Sequence, residues 1–367
     1  MNYYIIAGEA SGDLHASNLM KELNVLDTSA KFRCWGGDLM KAQGADLVKH
    51  YRELAFMGFT EVLMNLRTIL NNIDFCKKDI LEHKPDVLIL VDYPGFNLRI
   101  AEFAKAEGIK VFYYISPQIW AWKQSRVHKI KRVVDKMFVI LPFEKEFYNR
   151  FDYHVDFVGH PLLDAVSNYS SELNTLFVTS DKPIIALLPG SRKQEITVML
   201  PLMLSMKKHY SNYQFVIAGA PSQPNEFYQT FMEGGSDVKI VFNQTYQLLQ
   251  KAQVAMVTSG TATLETALFG VPEVVCYKGG AISFAIAKQL VKVKYISLVN
   301  LIMDKEIVKE LIQNELNETN LKIELDKLLN PDGRKKMLSD YTELTTKLGG
   351  SGASKKTAGL MIEYLKK

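Results

Sequence analysis

Short, unbroken apolar runs recur along the whole chain, and most of them stop at Gly, Pro, Ser or Asp. In the first half they are YYIIAG, FRCWGG, DVLILVDYPG, VFYYISP, MFVILP and DFVGHP; in the second, PIIALLPGS, YQFVIAG, VKIVFN, VAMVTSG and PEVVCYKGG. An alternating run marks a strand with one wet face, whereas a continuous run marks a strand covered on both. Helical patterns lie between the runs, so the strands are expected to be parallel and joined by helical crossovers. The expected class is α/β, with two doubly wound parallel-sheet domains.

A chain of 367 residues is too long for one ordinary core and suits two. The stretch from Asp164 to Lys182 is rich in Ser, Asn and Thr and reads as the connection. The expected domains are 1–168 and 169–347, followed by a tail, 348–367, that forms a helix after a Gly- and Ser-containing stretch. Hydrophobic content of 47% against 23% charged residues argues against extensive disorder. Cys34, Cys76 and Cys276 lie far apart without CxxC spacing, which disfavours a disulfide framework or a zinc site and suits a reducing cytoplasm. The opening MNYYIIAGEASGD reads as a strand and not a signal peptide. No apolar run approaches the roughly 20 residues that span a bilayer. A net charge of +4 does not by itself call for nucleic acid.

In open parallel sheets ligands bind outside the carboxyl ends of the strands, and that is where this sequence concentrates its polar motifs. In VDYPGFN a carboxylate, Asp92, ends the most apolar strand just before a Pro94-Gly95 turn. AGEASGDLHA lacks both the GxGxxG of a dinucleotide site and the GK[ST] of a P-loop. It is either an anion- or hydroxyl-binding helix start or a tight turn. In LLPGSRKQEI the amides of Gly190 and Ser191 could face a phosphate and Arg192 could grip it, with Glu195 capping the helix. In TSGTATLETALFGVP, Ser259, Gly260 and Thr261 could meet a diphosphate at a helix start. Glu265, one turn in, either accepts ribose hydroxyls or serves the helix dipole. No Asp-x-Asp occurs and the seven histidines show no ligand spacing, so neither a metal nor another cofactor is expected. His160 reads as structural or hinge-lining.

Two further segments are amphipathic in different ways. RVHKIKR, Arg126 to Arg132, lies beside Trp120 and Trp122 and suits either an anionic surface or a solvated helix face. ELAFMGFTEVLMNLRTILNNI places Phe59, Leu63, Leu66, Leu70 and Ile73 at three- and four-residue spacing, with Phe56, Met57 and Met64 widening the face. Such a helix either seats in a lipid interface or lines an acyl groove, or it faces a core.

AGEASGD, ELAFMGFTEVL, SPQIWAWKQSRVHKI, LPFEKEFY, FVGHPLLD, LLPGSRKQEI, TSGTATLE and YISLVNLI together resemble the lipid-A-disaccharide synthase family, in the same order and over nearly the whole chain. The resemblance implies a GT-B glycosyltransferase of family 19, with two Rossmann-like domains and a cleft between them. The first domain would take the acceptor and face the membrane, and the second would bind the UDP-sugar. It implies an inverting reaction that joins UDP-2,3-diacylglucosamine to 2,3-diacylglucosamine 1-phosphate, giving lipid A disaccharide 1-phosphate and UDP. It also implies a peripheral protein on the cytoplasmic face of the inner membrane.

By the same resemblance Asp92 is the general base, and Arg192 is essential. Ser259, Gly260, Thr261 and Glu265 contact the nucleotide, as does Asn300, and Glu9 and Ser11 match the acidic and hydroxyl residues of the N-terminal motif. Phe56, Met57, Phe59, Leu63 and Leu66 are the residues expected to meet membrane or acyl chains. One departure stands out: family members commonly carry a second aspartate where this chain has Gly95, which puts more weight on Asp92. The tail would pack on the first domain or be exchanged with a partner subunit in a homodimer. The rival readings are another GT-B enzyme using a UDP-sugar, such as a peptidoglycan-precursor transferase or an epimerase, and a non-catalytic UDP-sugar-binding protein at the membrane.

Overall fold

The computed structural model describes residues 1–54, 66–167, 169, 182–232, 237–280 and 293–367. Two units result: Met1–Asp164 together with Leu348–Lys367, and Ala165–Lys347. The division falls four residues before the one expected from composition, and the tail belongs to the first unit.

The first unit is built on β1 (Asn2–Ala7), β2 (Lys31–Gly36), β3 (Asp46–His50), β4 (Val87–Val91), β5 (Lys110–Tyr114), β6 (Lys136–Val139) and β7 (Asp156–Phe157). They form one parallel sheet in the order β3-β2-β1-β4-β5-β6-β7. Ile5 pairs with Cys34 on one side and Ile89 on the other, and all five residues of β4 are inaccessible to solvent. The second unit repeats the plan with β8 (Ile184–Leu188), β9 (Gln214–Gly219), β10 (Lys239–Phe242), β11 (Ala252–Thr258), β12 (Glu273–Tyr277) and β13 (Lys309–Ile312). Its order is β10-β9-β8-β11-β12-β13. The apolar runs of the sequence are eleven of these strands. The two that composition hid, DLVKH and KELI, are edge strands. An edge strand has only one neighbour, and β3 is mostly half-exposed, so its residues need not be apolar.

In each unit the strand order reverses between the first and fourth strands, β1 and β4 or β8 and β11. Loops that leave these neighbours diverge to opposite sides and open a crevice at their carboxyl ends.

The tail is fixed to the first unit by a carboxylate from a distant part of the chain. Asp164 accepts hydrogen bonds from the amides of Gly352 and Ser354, the latter at 3.0 Å, at the start of the helix Ala353–Lys366. Gly349, Gly350 and Gly352 all have left-handed φ, of 89°, 77° and 101°. The Gly-Ser stretch is thus a specific turn that glycine permits. Buried Ala358, Met361 and Ile362 lie on this helix, which packs on the helix Ala10–Leu26. Tyr364 donates to Asp156 at 3.0 Å, and Lys356 to the Phe157 carbonyl at 2.7 Å.

Removing a cap of this kind costs about 1–2 kcal/mol. Asp164→Ala is therefore expected to lower the thermal midpoint of the first unit by several degrees, with Asp164→Asn, which keeps an acceptor oxygen, recovering part of the loss. A midpoint unchanged in the alanine variant, followed by calorimetry, would show that the tail is held by its apolar face alone.

Candidate active site

Asp92 follows β4 at the first unit's switch point. Both Asp92 and Tyr93 have left-handed φ, 44° and 48°, a sparsely populated conformation for residues other than glycine. The turn is held from below. Asn97, fully buried, donates its side-chain amide to the Asp92 carbonyl at 2.8 Å and to the Val91 carbonyl at 3.2 Å. The Tyr113 hydroxyl donates to the Asp92 carbonyl as well. Pro94 then opens the helix Pro94–Ala106 at a position where its missing N–H matters least. The backbone is fixed so that the carboxylate stands at the sheet's carboxyl edge, half-buried. Burial pushes the Asp92 carboxyl up to about 7, and the negative charge of Glu9 pushes it the same way.

Glu9 lies two residues past β1, at the cap position of the helix Ala10–Leu26, which has no side-chain cap hydrogen bond; Ser11 is exposed in its first turn. The glycines of this motif have separate jobs. A Cβ on Gly8 would stand 2.3 Å from the Tyr93 ring, so Gly8 lets that ring close over β1. Gly12, whose Cβ would stand 3.2 Å from that of Ala7, lets the helix pack on the strand. Asp13 is structural: it is buried and accepts the amides of Gly37 at 2.8 Å and of Leu39 and Met40 at 3.1 Å, capping the next helix. His160 is buried, with its Nδ1 accepting the Leu162 amide at 3.2 Å. Desolvation lowers it to about 3, and the buried His15 to about 4, so both are neutral structural groups.

Sequence reasoning missed Asn97, Tyr113 and Glu144. Glu144 is fully buried, accepts the amides of Ile140 and Leu141 at 3.2 and 2.9 Å, and is pushed by burial to about 7. The Ser116 and Tyr148 hydroxyls share a hydrogen bond of 2.6 Å close by. The one available signal was the spacing in DYPGFN, an amide five residues after a carboxylate.

In the second unit, β8 runs into Pro189-Gly190-Ser191-Arg192 and the helix Lys193–Leu204. Glu195 folds back over this turn, accepting the amides of Ser191 and Arg192 at 3.2 and 3.3 Å and the Arg192 guanidinium at 2.9 Å. Gly190 has φ +105°, and a Cβ there would lie 2.7 Å from Glu195 Oε2. The expected capping by Glu195 is present. Two expectations change: the Ser191 amide is directed at Glu195 and not outward, and Arg192 has a structural partner as well as an exposed side chain.

β11 ends at the neighbouring position. The Ser259 hydroxyl donates to the Ile296 carbonyl at 3.0 Å, while Gly260 and Thr261 are exposed at the start of the helix Thr261–Leu268, which has no side-chain cap. Its first amides carry the positive end of the helix dipole. One turn in, Glu265 accepts the Tyr246 hydroxyl at 3.0 Å through Oε1, and burial raises its carboxyl. Tyr246 rests against Phe269 with ring centroids 4.9 Å apart, so Glu265 is oriented by a side chain that the sequence did not single out.

Asn300 does not fit the role expected of it. It is 0% exposed; its Nδ2 donates to the Val308 carbonyl at 2.8 Å and to Glu310 at 2.9 Å, and its Oδ1 accepts the amides of Ile307 and Val308 at 2.8 and 3.0 Å. Both donors and both lone pairs of its amide are thereby satisfied, which makes it a brace for the loop before β13 and not a nucleotide contact.

Phe56, Met57, Phe59 and Leu63 lie outside the described residues. Leu66 opens the helix Leu66–His83, on which Leu70 and Phe75 are exposed and Ile73 is buried. Trp122 is exposed, with the Arg126 guanidinium 4.8 Å and the Lys123 ammonium 5.9 Å from its ring centre. Trp120 is buried against Phe143, and Lys129 pairs with Glu102 at 2.7 Å. Among the described residues no helix is long and apolar enough to cross a membrane, and no cluster of three or more His, Cys, Asp or Glu could hold a metal ion.

Solved structures with this fold include the UDP-GlcNAc 2-epimerase of Neisseria meningitidis bound to UDP-GlcNAc, at TM-score 0.68 and 15% identity, covering 99% of this chain and 100% of that one. The glycosyltransferase of kitacinnamycin aligns at TM-score 0.69 and 13% identity, covering 99% of each. These likenesses show the GT-B arrangement of two parallel-sheet α/β domains. The lipid-A-disaccharide synthase of Syntrophus aciditrophicus is 41% identical over 377 residues, which is 99% of this chain and 97% of the relative. That of Geobacter metallireducens is 38% identical over 372 residues, with 99% and 97% coverage. The family model for lipid-A-disaccharide synthetase matches residues 3–363, and with relatives this similar from end to end the chain belongs to the lipid-A-disaccharide synthase family.

Proposed function

We propose that this enzyme joins UDP-2,3-diacylglucosamine to 2,3-diacylglucosamine 1-phosphate, releasing UDP and forming lipid A disaccharide 1-phosphate. The Asp92 carboxyl is the observation that carries the mechanism. A sugar hydroxyl is a weak nucleophile, and a base titrating near the working pH is the most effective partner for it. The acceptor's 6-hydroxyl oxygen attacks the anomeric carbon of the donor as its proton passes to Asp92. The bond from that carbon to the diphosphate breaks on the opposite face, and UDP leaves with the electron pair, inverting the centre. Glu9 keeps the Asp92 carboxyl basic, and Ser11 offers a hydroxyl at the same edge of the first unit.

Arg192 and the helix start at Gly260 and Thr261 offset the charge that builds on the departing diphosphate. Glu265, held by Tyr246 through one oxygen, keeps the other for a ribose hydroxyl. No step is assigned to a metal or other cofactor. The structural relatives that are epimerases would suit the second unit equally well; the acceptor-side carboxylate at Asp92 favours transfer.

The primary test is UDP release by the purified protein with the donor, in the presence and absence of acceptor, with mass analysis of the lipid product. Acceptor-dependent release and a disaccharide are expected; UDP binding without turnover would support the non-catalytic reading. Asp92→Asn should retain the fold and UDP affinity while kcat falls about 10²–10⁴-fold. A near wild-type rate would remove Asp92 from the role of base.

The pH dependence has a definite sign. A base must be ionised, so kcat/KM should rise as pH climbs through about 7, the value at which the Asp92 carboxyl titrates. Glu9→Gln removes a like charge, so the rising limb should move to lower pH. A limb that stays in place would break the link between the two carboxylates.

Acylated substrates favour a membrane surface, and our reading sets this reaction at the cytoplasmic face of the inner membrane, with the exposed Trp122 and its flanking Lys123 and Arg126 suited to an anionic lipid surface. Changing Trp122 to Ser and Arg126 to Gln should reduce flotation with vesicles containing anionic lipid. Equal flotation would return this patch to an ordinary solvated face. In a homodimer with exchanged tails, the Asp164 cap and the contacts of Tyr364 would be made between subunits in place of within one.

A further inference from the structure

The first unit presents two carboxylates that feel each other's charge, Glu9 and Asp92, at the edge where the acceptor's 6-hydroxyl gives up its proton. The acceptor also carries a phosphate monoester, which both carboxylates repel when ionised. A cation at the same edge would offset that repulsion, and the chain leaving β5 supplies one.

β5 is the neighbour of β4, with Tyr114 opposite Val91, so the loop that follows it, 115–123, leaves the sheet beside Asp92. This loop is anchored from within. Trp120 is buried edge-on against Phe143, with ring centres 4.9 Å apart. Its carbonyl accepts the Gln124 side-chain amide at 3.2 Å, and the Lys123 amide donates to the Ile119 carbonyl at 3.0 Å. In the same short helix, Ile119–Trp122, the second tryptophan is turned outward and is 48% exposed. The Arg126 guanidinium lies over that outward ring at 4.8 Å, a contact that steadies a planar cation and leaves its N–H groups available.

Three observations set Arg126 apart from the rest of the basic run. It is half-buried, where Lys123 is exposed. Its charge acts on the Tyr113 hydroxyl, the same hydroxyl that donates to the Asp92 carbonyl. It has no carboxylate partner among the described residues, whereas Lys129 and Arg132, further along the same segment, face Glu102 at 2.7 and 3.8 Å.

We propose that Arg126, braced on Trp122, binds the phosphate monoester of the acceptor while the acceptor's 6-hydroxyl lies at Asp92. The inference rests on the reading of this edge as the acceptor side. A guanidinium offers a phosphate two parallel N–H groups, so it fixes direction as well as charge. The 1-phosphate and the 6-hydroxyl branch from the sugar on either side of its ring oxygen, so holding the one aims the other.

The test separates the acceptor's own phosphate from anionic headgroups in general. Initial rates are measured in neutral detergent, free of anionic lipid, with 2,3-diacylglucosamine 1-phosphate and with 2,3-diacylglucosamine as alternative acceptors. The unaltered protein should prefer the phosphorylated acceptor in kcat/KM. Arg126→Gln should cut that preference by about tenfold or more, chiefly through KM. Arg126→Lys, which keeps the charge and loses the fork, should fall between the two, and it decides by the same comparison if the glutamine variant does not fold. Equal use of the two acceptors by the unaltered protein, or a preference that survives intact in the variants, would overturn the proposal. A KM that rises equally for both acceptors would also overturn it, because the arginine would then serve the loop and not the phosphate. Absence of acceptor-dependent UDP release from the unaltered protein would instead remove the reading of glycosyl transfer itself, and this inference with it.

Discussion

Strands covered on both faces leave a parallel sheet nowhere to hold polarity except its two ends. That constraint organises both units of this enzyme. The interior positions of β4 and β8 can only be aliphatic, so every group that can touch a hydrophilic substrate must come from the loops at the carboxyl edge. Strand order then selects among those loops, because only at the reversal do neighbouring loops diverge and leave room. Glu9 and Asp92 leave β1 and β4; Arg192 and the Ser259–Thr261 segment leave β8 and β11. Four motifs far apart in sequence become two pairs of neighbours for one topological reason.

The two edges are tuned in opposite senses. In the first unit, like charge and burial work together to keep Asp92 protonated until about pH 7. In the second, an arginine and a helix start supply positive potential. The first arrangement opposes stability: a carboxyl whose folded value lies above its unfolded one favours the folded state below about pH 4, and that contribution is lost as pH climbs to about 7. A left-handed Asp92–Tyr93 pair adds backbone strain of order 1–3 kcal/mol per residue. Asn97 and Tyr113, whose donors converge on the Asp92 carbonyl from the buried side, are the opposing interactions. A basic carboxylate in a fixed direction is what this combination yields.

Much of this was legible in the residues. Continuous apolar runs identified eleven strands, and their polar endings identified the loops at the carboxyl edges of both sheets, because both follow from burial, which acts residue by residue. The edge strands β3 and β13 were hidden because an edge relaxes that requirement. Roles were harder to read than positions. Asn300 and Asp13 stand beside the polar motifs yet are held by internal partners, Asp13 by backbone amides and Asn300 by backbone groups and Glu310, and a hydrogen bond to a distant group leaves no mark on local sequence. Asp164 is the same case across 188 residues. Tyr246, which orients Glu265, carries no local pattern at all.

Gly95 shows how far the site depends on Asp92. The position is exposed, and a Cβ there meets nothing within 4 Å, so packing does not require a glycine in place of the family's usual aspartate. A carboxylate in this first turn would interact favourably with the helix start, but it would also add a third negative charge to the edge that already holds Glu9 and Asp92. Coulombic repulsion would then drive the Asp92 carboxyl still higher. In this chain Glu9 already supplies the like charge that keeps Asp92 basic, and a second carboxylate in the loop would leave less of Asp92 ionised at neutral pH. The absence of a side chain at Gly95 thus fits the proposed role of Asp92 as a base set by one neighbour and not by two.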